Sequence, residues 1–131
     1  MELTFAASPA HLADLRRAAR DALHAVPPPV ADEVLLALNE AATNAILYGS
    51  RGGQPVEVAV RVHDDWVEAT VLDYGPALPP DSAAIGDGLS SRGRGLWLLG
   101  RLVDEVRLER VRLGTRVTLR RWIGSPSPRT G

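Results

Sequence analysis

One helical stretch of the sequence carries a carboxylate and a carboxamide at a spacing that suits chemistry. Glu40 and Asn44 stand four residues apart, so a helix places both on one face, beside its apolar stripe. A carboxylate can deprotonate a nucleophile, and an amide oxygen can bind a hard cation such as Mg²⁺. A hydrogen-bonded pair on a helix surface is the simpler interpretation of these two residues taken alone.

A second candidate, Asp73, follows Val67, Ala69 and Val71 at two-residue steps. This period predicts a strand with Asp73 on its covered face. A buried carboxylate needs hydrogen-bond donors, and the amino group of an adenine ring would serve. Gly75 lacks a side chain that would block a flat base. Asp-x-Gly at a strand end is also an ordinary turn signal, and that alternative stays open.

The third candidate is the run Arg92-Gly93-Arg94-Gly95-Leu96. Its glycines let backbone amides at a helix N-terminus approach an anion closely, and its arginines add positive charge. Phosphate is the anion that this favours, with a flexible hinge as an equal alternative. The run is not a Walker loop, because the chain has no lysine, and no strand leads into it as in a dinucleotide-binding fingerprint.

Regular elements must position these candidates. Apolar periodicity and turn residues predict strands at 2–6, 56–62, 66–73, 105–112 and 115–122, and helices at 9–26, 30–49 and 93–103. Gly49 is predicted to cap the second helix. The order of the elements predicts an α+β sandwich, with helices on one face of a mixed, mostly antiparallel sheet.

Residues 74–92 contain three prolines and no sustained period, which predicts a long loop. Compact domains rarely tolerate such a loop unless it is functional or mobile. Residues 124–131 are rich in Ser and Pro and predict a flexible tail. We therefore expect a single domain over residues 1–123.

Composition narrows the class of protein. The 131 residues are 45% hydrophobic and 24% charged, which is typical of a globular domain that needs no membrane. The absence of cysteine excludes disulfides, thiolate metal sites and cysteine catalysis, and favours a reducing cytoplasm. The first residues show no targeting segment. The histidines show no metal-binding spacing. We expect the three tryptophans to be packing anchors: Trp66, Trp97 and Trp122.

The net charge of −1 conceals an asymmetry between two parts of the chain. Residues 1–91 carry five arginines and thirteen acidic residues, whereas residues 92–131 carry ten arginines and three acidic residues. The arginine-rich final hairpin has few interleaved aromatic residues, which argues against a nucleic-acid partner. We expect a protein partner instead.

The order and spacing of the motifs together resemble the Bergerat-fold (GHKL) ATPases, the superfamily of gyrase, Hsp90, mismatch-repair ATPases and histidine kinases. Residues 40–49 resemble the N box, Asp73-Tyr-Gly-Pro-Ala the first glycine box, residues 92–96 the second, and Gly114-Thr115 the terminal Gly-Thr. The resemblance extends from the first strand to about residue 123. The small size and the Glu-x-x-x-Asn form resemble most closely the bacterial anti-sigma factor serine kinases.

This resemblance implies ATP and Mg²⁺ as cofactors. Glu40 is implied to be the base toward a serine hydroxyl, and Asn44 the magnesium ligand. Asp73 is implied to bind the adenine amino group, with Gly75 allowing close approach and Thr115 helping to hold Asp73 and a bound water.

The second glycine box is implied to bind the phosphates. Gly93 and Gly95 present amides there, Arg92 or Arg94 lies close by, and Leu96 ends the motif. Residues 78–92 are implied to form a lid over ATP.

The family phosphorylates a serine on a small anti-anti-sigma protein of the STAS type, binds a sigma factor in its unmodified form, and often forms homodimers. We therefore expect a cytoplasmic anti-sigma factor with kinase activity and no direct nucleic-acid or membrane partner. The alternative is a non-catalytic ATP-binding module that switches a protein interaction. The catalytic domain of a histidine kinase is disfavoured, because such domains usually carry Asn where Glu40 stands.

Two positions depart from the family pattern. Ala77 stands where the first glycine box usually has its second glycine, and Tyr48 stands where these kinases commonly have His. A methyl group at Ala77 is expected to stiffen the hinge of the lid or to crowd the nucleotide.

Overall fold

The computed structural model describes residues 1–50, 54–75, 91–112 and 114–123, with the backbone alone for residues 91–96. The strands are β1 (Glu2–Ala6), β2 (Pro55–Val62), β3 (Trp66–Asp73), β4 (Glu105–Val111) and β5 (Gly114–Trp122). The helices are α1 (Leu12–Ala22), α2 (Pro28–Asn44) and α3 (Ser91–Leu102). A 3-10 turn (Pro9–His11) precedes α1, and a π-helical segment (Ala45–Gly49) extends α2.

The strands form one sheet in the order β1-β2-β3-β5-β4, and all four pairings are antiparallel. The predicted α+β class with a mostly antiparallel sheet is confirmed. Strand β3 lies in the centre, where Asp73 stands opposite Val56 on one side and Thr115 on the other. At the other end of β3, Trp66 stands opposite Trp122. We call the end of the sheet at Asp73 the site end and the end at Trp66 the far end.

Alternation along the strands separates the two faces of the sheet. Alternate residues are buried over 56–60 of β2, 67–73 of β3 and 115–119 of β5, as the two-residue period predicts, whereas Val62 at the end of β2 is exposed. The outer face carries charged side chains in cross-strand register, among them Arg120, which bonds Glu68 at 3.2 Å from Nε to Oε1. Helices therefore cover the inner face, and charged side chains occupy the outer one.

Helix α2 is the centre of the helical layer. It packs against α1, α3, β3 and β5. Its buried side chains join those of the strands in a single apolar core. Among the largest fully buried side chains of this core are Leu15, Val34, Leu38, Val60, Val67, Val71, Leu99 and Leu119.

The boundaries of all three helices differ from the prediction. Helix α1 covers Leu12–Ala22 of the predicted 9–26, with the 3-10 turn before it and a non-helical turn over residues 23–26 after it. Helix α2 begins at Pro28 rather than near Val30, because proline at the first helical positions lacks only an N–H that would be unpaired there anyway. Helix α3 begins at Ser91, so residues 91 and 92 of the predicted loop are helical. The consecutive serines at 90 and 91 are both favourable N-cap types, and the sequence does not choose between them.

An ion-pair cluster fixes α2 at the far end. Arg121 bonds Glu33 of α2 at 2.8 Å from Nη2 to Oε1 and lies 3.6 Å from Oδ2 of Asp104. The same Asp104 oxygen accepts a hydrogen bond from the backbone N–H of Trp122 at 2.8 Å. The side chain of Asp104 is only 2% exposed. We call Arg121, Glu33 and Asp104 the far-end cluster.

The tryptophans do not all pack as expected. Trp66 stacks on His63 with ring centroids 4.2 Å apart and meets the edge of Trp122 at 6.1 Å. Trp97 is 53% exposed on α3, so its prediction as a packing anchor is wrong. The Arg101 guanidinium lies 5.1 Å from its ring centroid, a contact that a tryptophan can make at the surface.

The helices in the described parts of the chain include none that is long and apolar enough to cross a membrane.

Candidate functional site

Helix α2 positions the first two candidate residues. Glu40 and Asn44 lie one helical turn apart near its C-terminal end. Glu40 is half-buried, whereas Asn44 is 7% exposed and faces the interior. The acid is therefore accessible at the edge of the helix layer, and the amide lies beneath it.

Asn44 carries a buried polar atom that lacks a partner. Within the described residues, no group accepts a hydrogen bond from its Nδ2. Buried polar groups in proteins are nearly always paired, because an unpaired one costs about 1–3 kcal/mol. A polar ligand that entered beside α2 would find this amide already desolvated.

Asp73 is the central polar residue at the site end. It is the last residue of β3 and is 3% exposed. Its Oδ1 accepts a hydrogen bond from the backbone N–H of Gly75 at 3.1 Å. Thr115, opposite it on β5, is 1% exposed. An acidic side chain is thus held inside the domain between two laddered strands.

Three glycines allow the backbone to close around Asp73. A Cβ on Gly49 would lie 2.3 Å from Cγ of Asp73, and one on Gly75 would lie 1.9 Å from the carbonyl oxygen of Gly49. A Cβ on Gly114 would lie 1.8 Å from the carbonyl oxygen of Asp73. No side chain fits at these distances without a shift of backbone, so the packing itself requires glycine.

The prediction of Gly49 as a helix cap is wrong. Its φ lies outside the left-handed region that such caps adopt, and it ends the π-helical segment instead. Single π-helical turns occur frequently at functional sites. Here the segment brings a residue without a side chain against the carboxyl group of Asp73.

A serine that sequence reasoning missed connects this junction. Ser50 is fully buried, donates from Oγ to the carbonyl oxygen of Pro55 at 2.6 Å, and accepts from the backbone N–H of Tyr74 at 2.9 Å. The ring hydroxyl of Tyr74 in turn donates to Glu57 of β2. The position of Ser50 directly after Gly49, where the predicted helix ends, was a usable signal, because a serine at such a junction can bond nearby backbone.

The remaining candidates are placed in part. The backbone of residues 92–96 forms the first half of α3, so the second glycine box lies in the helix and not before it. The first N–H groups of a helix have no partner within it and can face an anion. Ala77, residues 78–90 of the predicted lid and the predicted tail at 124–131 lie outside the described residues.

The geometry brings Asp73, Gly75 and Thr115 together with Gly49, which extends the helix that carries Glu40 and Asn44. A buried carboxylate beside small residues can bind the amino edge of a flat base. An unpaired amide and an accessible acid on the adjoining helix can serve a charged group attached to that base.

Known proteins share sequence and fold with this chain. The profile of the histidine kinase-like ATPase domain matches residues 5–121. A relative named serine-protein kinase RsbW in Bacillus pumilus is 34% identical over 92 residues, or 60% of this chain and 57% of the relative. The protein of the same name in Bacillus subtilis is 31% identical over 90 residues, or 60% and 56%. The chain thus matches little more than half the length of these relatives.

Solved structures share the fold. The RsbU and RsbW domains of Rv1364c from Mycobacterium tuberculosis superpose with a TM-score of 0.70 at 22% identity, covering 97% of this chain and 33% of that one. A blue-light activated histidine kinase domain from Erythrobacter litoralis superposes with a TM-score of 0.63 at 21% identity, covering 87% and 60%. Because the profile spans nearly the whole sequence and the fold agrees, this chain belongs to the histidine kinase-like ATPase domain family.

Proposed function

We propose that this protein is an ATP-binding anti-sigma factor that phosphorylates a serine of a STAS-type anti-anti-sigma protein and sequesters a sigma factor when that antagonist is unavailable. The observation that carries the proposal is the junction of Asp73, Gly49 and Gly75 at the end of the helix that bears Glu40. Relatives named serine-protein kinase RsbW support the kinase assignment.

Adenine recognition is assigned to Asp73. Its buried carboxylate accepts hydrogen bonds only, so it selects a base edge that donates, such as the 6-amino group of adenine. Gly75 packs its backbone against the carbonyl of Gly49 and donates its N–H to that carboxylate, and Thr115 stands opposite Asp73 on β5. The backbone amides of the first turn of α3, up to Gly93, are assigned to the phosphates, whereas the N–H of Gly95 lies within the helical ladder.

Magnesium is assigned to Asn44. The unpaired buried atom is the Nδ2 donor, which fits a phosphate oxygen beside α2, and the amide oxygen of the same side chain is a ligand type that Mg²⁺ accepts. Among the described residues no group of three or more His, Asp or Glu side chains could hold a metal by itself. The proposed site therefore relies on Asn44 together with phosphate oxygens, as magnesium sites in kinases commonly do. The ion neutralises phosphate charge when bound.

Glu40 is the proposed general base. It accepts the proton of the substrate serine as the serine oxygen bonds to the γ-phosphorus and the bond to the ADP oxygen breaks. Its half-buried position one turn before Asn44 suits a group that must reach both the nucleotide and a protein substrate.

Transfer of labelled γ-phosphate tests the proposal. The purified chain with Mg-ATP is incubated with each STAS-type anti-anti-sigma protein of its source organism. We expect one of them to be phosphorylated on serine, and Glu40→Gln to lower the rate by about 10²- to 10⁴-fold while ATP affinity is kept. Glu109→Gln, which removes the same charge on the outer face of the sheet, is the matched control.

The outcome separates this function from its alternative. If the wild-type chain binds ATP yet phosphorylates none of these proteins, the kinase assignment fails and the non-catalytic switch replaces it. If Glu40→Gln transfers phosphate at the wild-type rate, Glu40 is not the base.

The partner and its setting need their own measurements. We propose that the chain forms a homodimer in the cytoplasm and binds its sigma factor in the presence of ATP. Sedimentation of the purified chain tests the dimer. Capture of a sigma factor from the native cell with ATP, and its release by the unphosphorylated antagonist, tests the sequestering role.

A further inference from the structure

The hydroxyl group of Ser50 connects the start of β2 with the turn that follows Asp73. We infer that Ser50 is a positioning residue for adenine recognition, because it holds the turn after β3 against the end of the α2 extension and so fixes the Asp73 carboxylate. The inference rests on the proposed function, in which that carboxylate binds the adenine amino group.

The side chain of Ser50 uses both functions of one oxygen atom. Its hydroxyl group donates a hydrogen bond to the carbonyl oxygen of Pro55, the first residue of β2, at 2.6 Å. The same oxygen accepts the N–H of Tyr74, the residue directly after β3, at 2.9 Å. Only a hydroxyl group offers a strong donor and a strong acceptor in so small a volume. Ser50 is 0% exposed, so water does not replace it there.

The position of Tyr74 matters because it separates Asp73 from Gly75. The Gly75 N–H donates to Oδ1 of Asp73 at 3.1 Å, and the Gly75 backbone rests on the carbonyl of Gly49. A displacement of the Tyr74 amide therefore moves the donor that orients the carboxylate. It also opens the contact between the two glycines.

The strand itself does not depend on Ser50. The backbone of Asp73 is held by its cross-strand neighbours Val56 and Thr115, and the ladder of β3 ends there. Loss of the Ser50 hydroxyl leaves this ladder in place and frees the Tyr74 amide in the turn beyond it, while the Tyr74 ring stays bonded to Glu57. The expected defect is therefore a misplaced carboxylate in a folded domain.

Nucleotide discrimination reports the placement of the carboxylate directly. Inosine triphosphate (ITP) has a carbonyl oxygen where ATP has the 6-amino group, so a carboxylate aimed at that position rejects it. A site built to hydrogen-bond a ligand group discriminates strongly against the analogue that lacks it. The ratio of ITP to ATP dissociation constants is thus high when the carboxylate is well placed, and falls when it is not.

Equilibrium titrations of the full chain with Mg-ATP and Mg-ITP test the inference. We expect Ser50→Ala to lower the ratio of the two dissociation constants by about tenfold, the effect of losing one well-oriented hydrogen bond. Ser50→Thr keeps the hydroxyl and is expected to preserve the ratio, even if its extra methyl group lowers stability. Val60→Ala, a buried truncation in β2 four residues from the position opposite Asp73, is the control for stability loss alone and is expected to leave the ratio unchanged.

Two results overturn the inference: a Ser50→Ala ratio within twofold of wild type, or an equal loss of discrimination in Val60→Ala. If Ser50→Ala does not fold, Ser50→Cys takes its place, because a thiol is a much weaker donor and acceptor, and the same limits apply. A wild-type chain that binds ATP no better than ITP contradicts the proposed function itself, a result that the wild-type titrations show before any variant is measured.

Discussion

The two ends of the sheet differ in residue type and in the contacts that hold them. At the site end, glycine backbones press on a buried carboxylate, and a serine and an asparagine are buried with it. At the far end, Arg121, Glu33 and Asp104 form an ion-pair cluster beside the stacked rings of Trp66 and His63. One helix, α2, reaches both ends.

The difference indicates that the far end contributes mainly to stability and the site end mainly to ligand binding. Large side chains and paired charges at the far end add contact area and fix the helix on the sheet. Small residues at the site end let segments of backbone approach Asp73 closely, and they keep its carboxylate in a defined position. Residues at functional sites are commonly less favourable for stability than their surroundings.

The largest effect is expected from one added methyl group at the site end. Gly49→Ala places a Cβ 2.3 Å from Cγ of Asp73, so we expect a stability loss of about 3 kcal/mol and no detectable ATP binding. Denaturant unfolding and calorimetric titration measure the two effects. Gly100→Ala on α3 is the matched control, because its Cβ meets nothing within 4 Å and a helical Gly→Ala change is expected to stabilise by up to about 1 kcal/mol. Wild-type ATP affinity in Gly49→Ala would remove Gly49 from the site.

A change at the far end should act on stability alone. Arg121→Ala leaves the buried carboxylate of Asp104 without its cation, and we expect a loss of about 2 kcal/mol, below the range for fully buried pairs because Glu33 is partly exposed. Denaturant unfolding measures the loss. The ATP dissociation constant of the folded variant should stay within about threefold of wild type. A larger change in affinity would show that the two ends are not separate in function.

The magnesium assignment gives a smaller effect at the site end. Asn44→Ala should weaken ATP binding in magnesium by about tenfold, the lower end of what a metal site loses with one supporting group. In EDTA the wild type and the variant should bind ATP equally. Asn39→Ala is the control on the same helix, because that asparagine bonds Arg16 at the surface. Equal losses in magnesium and in EDTA would argue that Asn44 acts only through packing.

The smallest effect separates buried ion pairs from exposed ones. Arg107 pairs with Glu105 on the outer face at 3.5 Å, and both side chains are largely exposed. Arg107→Ala should change the free energy of unfolding by less than about 0.5 kcal/mol, as exposed pairs usually do. A change comparable to that of Arg121→Ala would mean that burial does not explain the far-end cluster.

Sequence reasoning succeeded where one element determines the result. The alternation before Asp73 predicted a strand that ends in a covered carboxylate. The apolar period around Glu40 and Asn44 predicted one helix that carries both residues. Local periodicity contains this information, because it depends on the side-chain directions of a single strand or helix.

Contacts between distant segments were not accessible in the same way. The local sequence predicts Gly49 as a helix cap, whereas in the structure Gly49 packs against Asp73 of another element. Ser50 joins residues 5 and 24 positions away, and Arg121 bonds a glutamate 88 positions away. Such pairs arise from the way the elements pack, which propensities and spacing do not specify.

The π-helical segment between Asn44 and Ser50 also constrains how the sequence can change in length. Each residue turns the chain by about 100° in an α-helix and by less in a π-helix, so a deletion within Ala45–Gly49 rotates the end of the segment substantially. A residue with a side chain would then face Asp73 in place of glycine. The exposed turn at residues 63–65 bears no such requirement, and insertions are expected to be tolerated there and not after α2.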